Sequence, residues 1–272
     1  MKIKVSGWNL LLFICLLLSF FPLVWMISTT FKQADQIFSE FLNPLPRPFT
    51  WENISYVLNA VPMVRYFINS LIVAVLVTAF QLVTSILAAY SFTRFDFKGR
   101  QFLFYVVVAS MLIPIQVTML PNYLLISKLD WLNTYAGLVA PQLANGMGVF
   151  LLRQTFRTIP QSLYESAQVG GAAEWQILWR IAFPVVRPTV LALGVMFFIN
   201  VWNEYFWPLL VINDKDMLTI PLALQLFINS EGGNSWGPMM AVGTLASLPP
   251  LIAFFIVNRQ IVSSFISTGV KG

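Results

Sequence analysis

Apolar residues fall in long blocks along this chain, separated by short polar stretches. Six blocks, at about 9–29, 66–92, 102–122, 136–157, 186–211 and 237–257, are long enough to cross a bilayer, for which roughly 18 apolar residues suffice. The pattern predicts an all-α integral membrane protein with six spans and both ends on one side. Between the fourth and fifth blocks the pattern changes to PQSLYESAQVGGAAEWQILWRIAFP. Ser162 with Glu165 three residues later fits a capping box, which predicts a short helix from Leu163. Gly170-Gly171 predicts its end or a bend. Trp175, Leu178, Trp179 and Ala182 then recur at i, i+3, i+4 and i+7, one face of a second helical run. Pro184 and Pro188 are expected to limit that run.

Charge orients the spans. Of the 16 Lys and Arg, eleven lie in the N-terminus, the loop near 93–101, the region 153–187 and the C-terminus. Only Asp96, Glu165 and Glu174 are acidic in these segments. Positive residues favour the cytoplasmic side, so both termini and the glycine-broken loop are expected there. The net charge of +5 is thereby a topology signal and carries no inference of nucleic-acid binding. On the opposite side, Pro44, Pro46 and Pro48 forbid a long helix. WENISYVLNAV is expected to form a short surface helix, and NSEGGNSWGP a flexible tip.

Composition narrows the chemistry. Hydrophobic residues make up 58% and charged residues 10%, far from the roughly 25% charged of soluble domains. The absence of histidine removes His-based acid/base chemistry and most transition-metal sites. The single cysteine, Cys15, has no intrachain partner, and no phosphate-loop motif occurs. No catalytic residue and no metal site is therefore expected. The first block is long for a signal peptide and no A-x-A site follows, so a retained anchor is expected.

By spacing alone, the loop 158–188 fits either an amphipathic helix resting on the membrane surface or a docking knob for a soluble partner. Glu165, Ser166, Ala167, Gly171, Ala172, Ile181 and Pro184 form the pattern E-S-A-x-x-x-G-A…I-x-x-P. This resembles the EAA loop of the membrane subunits of ATP-binding-cassette (ABC) importers. Those families usually read E-A-A-x-x-D-G-A, so Ser166 and Gly170 depart from the pattern. FINVWNEYFWPLLVINDKDMLTIPLALQLF resembles the fifth span and following loop of carbohydrate importer permeases of the maltose and glycerol-phosphate type. The tail IVSSFISTGVKG resembles the G-L-T-x-G-A-V-K-G ending of the maltose-type second permease.

The resemblance implies the type I importer permease fold. Residues 1–65 would be an anchor span and outer segment, 66–257 a core of five spans carrying the coupling loop, and 258–272 a cytoplasmic tail. It also implies a second homologous permease, a cytoplasmic ATPase dimer and an extracytoplasmic substrate-binding protein as partners. The ATPase would bind ATP and magnesium, with no cofactor in this chain. Glu165, Ser166, Ala167, Gly170, Gly171, Ala172 and Pro184 would couple to the ATPase, and Thr268, Gly269 and Lys271 would reach it from the tail. The location implied is the cytoplasmic (inner) membrane, with a sugar or polyol as substrate.

Polar residues inside spans mark a pathway or an interhelical contact. Asn200, Asn203 and Glu204 share one face of a continuous fifth span, and Gln81, Gln116 and Asn145 lie in the second, third and fourth. Neutral donors and acceptors suit hydroxyl-rich solutes, which makes these the candidate pathway residues. A permease for a non-sugar solute is the principal alternative. An ion-coupled transporter would need paired intramembrane charges or discontinuous helices in matched halves, and the sequence displays neither clearly.

Overall fold

The computed structural model describes residues 7–228 and 235–269. Every regular element among them is helical. In chain order these are α1 (Gly7–Thr30), α2 (Gln36–Ser39), α3 (Glu52–Ala60), α4 (Met63–Arg94), α5 (Arg100–Ser110), α6 (Ile115–Lys128) and α7 (Tyr135–Val139). They continue as α8 (Gly146–Phe156), α9 (Gln161–Val169), α10 (Glu174–Ile177), α11 (Phe183–Trp202), α12 (Phe206–Val211), α13 (Ile220–Gln225) and α14 (Trp236–Gly269). Four continuous helices are long and apolar enough to cross a membrane: Gly7–Thr30, Met63–Arg94, Glu174–Trp202 and Trp236–Val257. Two bent pairs raise the number to six, matching the six apolar blocks. The outer tip NSEGG lies outside the described residues, as does Lys271.

The chain clusters into two compact units. The first comprises residues 1–67 and 219–248. Its interior holds a buried charge among several buried polar residues, Ser28, Thr29, Thr30 and Gln36 included. Lys32 is fully buried, and its ammonium donates to the carbonyls of Glu40 and Asn43 at 2.7 Å each. These bonds hold the irregular, proline-rich segment that follows α2. Asn53 of α3 donates to the carbonyls of Thr30 and Lys32, so the expected surface helix is tied down at its start.

The second unit comprises residues 68–218 and 249–272. The third and fourth spans are both broken, which block-level hydropathy does not reveal. α5 and α6 bend by 96° before Pro114, and the helical run Tyr135–Gln142 bends by 46° from α8. Pro114 has no N–H and adopts an extended ψ of 134°, so the helix cannot continue through it. The break at 143–145 exposes carbonyls that lipid cannot satisfy, and α4 satisfies them. Gln81 Nε2 donates to Gln142 O at 2.8 Å, Thr84 Oγ1 to Leu143 O at 3.1 Å, and Ser85 Oγ to Asn145 O at 3.4 Å. Asn145 restarts the helix by accepting from Gly148 N–H at 3.1 Å.

Gly148 makes this junction possible. A β-carbon there would lie 2.8 Å from Phe197 Cζ and collide with Ser85 Oγ. Alanine normally stabilises a helix over glycine by about 1 kcal/mol. Here Gly148→Ala is expected to reverse the sign and destabilise by roughly 1–3 kcal/mol through overpacking. Thermal unfolding of the purified protein in detergent checks this, and a raised midpoint would contradict it.

Span five runs differently from expectation at both ends. Pro184 and Pro188 do not limit the second loop helix. α10 passes through a π turn, Leu178–Ala182, directly into α11. The wider turn accommodates Pro184, which cannot donate to the preceding turn. At the other end α11 stops at Trp202 and α12 begins at Phe206, so Asn203 and Glu204 sit in an interruption. The single helical face expected for Asn200, Asn203 and Glu204 is therefore broken.

Candidate functional site

The helix α9 follows Pro160, whose extended ψ of 135° turns the chain into the first helical residue, Gln161. The expected capping box does not form. Ser162 is already inside the helix, and its position leaves the N-cap to Pro160, which has no side-chain acceptor. The end of the helix is closed by a Schellman motif. Ala172 N–H donates to Ala167 O at 3.0 Å, and Gly171 N–H to Gln168 O at 2.9 Å. Gly171 has φ +77°, the left-handed conformation in which a β-carbon is strained. Gly170 has an ordinary φ of −73°, and a β-carbon there would meet only ordinary contacts at 3.4 Å and 3.5 Å. The two glycines are thus physically unequal, and the backbone accepts an acidic side chain at Gly170.

One side of α9 is anchored. Tyr164 is buried, and Ala167 and Ala172 pack on a core formed by Tyr90, Phe156, Ile177, Leu178, Ala182 and their neighbours. The Arg94 guanidinium lies 5.3 Å from the Tyr164 ring centre, a cation–π arrangement. The Tyr164 hydroxyl is buried without a hydrogen-bond partner among the described residues. Burial pushes this phenol up, so it stays neutral and serves as a packing group.

Glu174, the first residue of α10, ties the surrounding elements together. Its Oε1 accepts from Arg94 Nη2 at 2.7 Å and from Gln168 Nε2 at 3.1 Å. Its Oε2 accepts from Tyr90 Oη at 2.9 Å and from Arg94 Nε at 3.3 Å. One carboxylate therefore joins α4, α9 and α10, and the Arg94 fork is bidentate. The opposite side of α9 is left outward. Glu165, Ser166 and Leu163 are exposed, Val169 is 90% exposed, and Trp175 is exposed beside Trp179 with ring centres 5.3 Å apart. This is a mechanical junction: a short helix clamped to two spans on one side, with a mixed apolar and acidic surface on the other.

Comparison with known proteins gives this junction a family. The profile of the binding-protein-dependent transport system inner membrane component matches residues 81–266. The chain belongs to this family. The permease is 30% identical to the sn-glycerol-3-phosphate transport system permease protein of Yersinia pestis, over 96% of this chain and 95% of that protein. It is also 30% identical to the arabinooligosaccharides transport system permease protein of Bacillus subtilis, over 94% of this chain and 92% of that one. Its fold matches the crystal structure of a bacterial ABC transporter involved in the import of the acidic polysaccharide alginate. That match has a TM-score of 0.82 at 20% identity and covers 92% of this chain and 93% of that chain. A second match is a bacterial alginate ABC transporter in complex with alginate pentasaccharide-bound periplasmic protein, with a TM-score of 0.68 at 18% identity over 92% and 91% of the two chains. The architecture is thus the ABC importer type I permease fold in an inner-membrane, multi-pass protein.

Of the loop residues named from sequence, Glu165 to Ala172 form α9 and its cap, whereas Pro184 lies on α11 just past the π turn, exposed. The polar residues of the spans are scattered. Gln81 and Asn145 both serve the break in span four, Gln81 by donating to Gln142 O and Asn145 by capping α8. Gln116 is exposed at the start of α6, and Asn200 is exposed on α11. Asn203 Nδ2 donates to Ile199 O at 2.9 Å, and Glu204 Oε1 accepts from Trp207 N–H at 3.1 Å, ending α11 and starting α12. Thr268 and Gly269 fall in the last turn of α14, beyond the described side chains. Sequence reasoning missed Tyr90, Arg94, Gln168 and Glu174, treating Arg94 and Glu174 only as orientation signals. The available signal was the pairing of one basic and one acidic residue at facing ends of two helices, with Tyr90 four residues before Arg94 on the same face.

Proposed function

We propose that this chain is one of two permease subunits of an ATP-driven importer for a sugar or sugar-like solute. The observation that carries the coupling reading is the clamped helix α9, anchored through Tyr164 and Gln168 while Glu165 and Val169 face outward. In this reading both termini and α9 are cytoplasmic, as the positive-charge bias supports. The exposed side of α9 seats on one subunit of an ATPase dimer, which binds ATP and magnesium and performs the hydrolysis. Thr268, Gly269 and Lys271 add a tail contact. A second related permease completes the pathway, and an extracytoplasmic binding protein delivers the substrate.

The coupling follows from connectivity. The Glu174 clamp fastens α9 to α4, and α10 runs through the π turn into α11. The stretch Glu174–Trp202 has 29 residues, about 40 Å at 1.5 Å per residue. A displacement of α9 by the ATPase therefore moves spans two and five together, against the broken spans three and four. Substrate contact falls to the polar residues of the spans. The exposed Gln116, Asn200 and Asn203 are placed for solute hydroxyls, while Gln81, Asn145 and Glu204 hold the helix breaks beside them. The glycerol-phosphate, arabinooligosaccharide and alginate transporters among the similar proteins support a polyhydroxylated substrate.

The test is reconstitution of the permease with its ATPase. Glu165→Arg is expected to lower solute uptake about tenfold or more, the effect of losing roughly 1.4 kcal/mol of docking. Abundance in the membrane should stay unchanged. Unaltered uptake with the ATPase still bound would overturn the coupling role of α9.

A further inference from the structure

A second arginine at the same end of the spans is buried like Arg94 but lacks its carboxylate. Arg153, in the last turn of α8, is only 8% exposed. Its Cζ lies 3.9 Å from the centre of the Phe104 ring. Its Nε is buried with no acceptor among the described residues, and no ion pair joins it to a carboxylate among them. The basic side chains of Arg157 and Arg100 lie near enough to oppose its charge, and the phenol of Tyr105 is the one polar neighbour that favours it among the described residues. Arg157 follows one turn later, its N–H donating to Arg153 O at 3.1 Å. Asp96 lies 3.6 Å from Arg100 but is 94% exposed, so its charge is largely screened. A buried guanidinium among like charges is costly unless an anion meets it.

The surroundings select the anion. α5, which supplies Phe104 and Arg100, carries a wall of exposed apolar and aromatic side chains: Phe102 is 69% exposed and Tyr105 59%, with Leu103 beside them. Such a helix belongs in hydrocarbon, and the arginines mark the level at which spans three and four leave it. A flat acidic protein surface would meet the guanidinium but not the apolar wall of α5. A headgroup phosphate with its acyl chains along α5 would meet both. Basic pockets between spans are a recurrent form of headgroup site, and the planar fork of arginine suits a phosphate.

We propose that Arg153, with Arg157 and Arg100, binds the phosphate of an anionic phospholipid at the ends of spans three and four. The site is separate from the α9 clamp and independent of which solute is carried.

Native mass spectrometry of the full-length protein, titrated in mild detergent with phosphatidylglycerol or phosphatidylcholine, tests this. The wild type is expected to retain one phosphatidylglycerol about tenfold more tightly than phosphatidylcholine, roughly 1.4 kcal/mol. Arg153→Gln should abolish the preference and Arg157→Gln should reduce it, whereas Lys98→Gln, an exposed charge nearby, should leave it intact. Arg153→Lys keeps the charge and guards against misfolding; it should give an intermediate preference. Equal retention of the two lipids by the wild type, or a preference that survives Arg153→Gln, would overturn the proposal. Two further outcomes would also overturn it. One is retention of inorganic phosphate by the wild type, lost in Arg153→Gln, with no preference for phosphatidylglycerol, which assigns the site to a free ion. The other is loss of the co-purifying ATPase in Arg153→Gln with lipid retention unchanged, which assigns it to a protein contact.

Discussion

Glu174→Ala is expected to release α9 from the membrane body and uncouple transport from ATP hydrolysis, with the spans still inserted. The carboxylate accepts four hydrogen bonds, from Arg94 twice, from Tyr90 and from Gln168. Its removal strands the Arg94 guanidinium, whose side chain is only 9% exposed. Breaking a buried pair from one side typically costs 3–5 kcal/mol. The Glu174 side chain is 38% exposed, so water screens part of the interaction, and roughly 2–3 kcal/mol is the expected loss. That lowers the population of docked α9 relative to undocked by about 30- to 150-fold. Hydrogen exchange of the backbone between Gln161 and Ile177 should rise accordingly, and uptake should fall while basal ATP hydrolysis persists. Tyr90→Phe removes one donor and should cost only about 1 kcal/mol. A double-mutant cycle of Arg94→Ala and Glu174→Ala should report a coupling energy above about 1 kcal/mol. Additive effects with unchanged exchange in α9 would mean that the clamp does not hold the helix.

The second large effect is a contrast between two adjacent glycines. Gly171→Val should be severe and Gly170→Ala harmless. At φ +77° a side chain costs about 1–2 kcal/mol, and a β-branched one is a genuine outlier there. Relief of that strain requires dissolving the Schellman bonds that bring Ala172 back over Ala167. The start of α10, and with it Glu174, would then move. Gly170 has a near-helical backbone with room for a β-carbon, so Ala there reduces the freedom of the unfolded chain and should stabilise by about 0.4–1 kcal/mol. Uptake assays and thermal unfolding of the two variants in parallel check this. Equal behaviour of the two would show that the cap geometry is irrelevant to coupling. The same comparison explains how Gly170 stands where related loops carry an acid: the position demands no glycine, and the essential conformation belongs to its neighbour.

Much of this architecture was legible before any coordinates. The six apolar blocks marked the spans because a bilayer admits few other solutions for a run of apolar residues. The glycine pair marked the end of α9 because glycine is the residue that adopts a left-handed cap without strain. The capping box at Ser162 misled because the same residues also suit the interior of a first turn, and Pro160 supplied the entry instead. The prolines at 184 and 188 misled because a π turn absorbs what an α-helix cannot.

The sequence by itself determined the class of protein, the apolar blocks that can span and the position of the loop along the chain. Those depend on hydropathy and local backbone preference, and each acts over a few neighbouring residues. Only the tertiary structure decided that Glu174 clamps Arg94, 80 positions away, and that Gln81, Thr84 and Ser85 support a break 59 to 61 positions on. It also decided that Arg94 meets a carboxylate while Arg153 meets none among the described residues. A lone polar residue in an apolar span reads the same whether it meets a carbonyl, a carboxylate or lipid. Its partner is set by the packing of helices far apart in sequence, where one unmatched charge outweighs many local preferences.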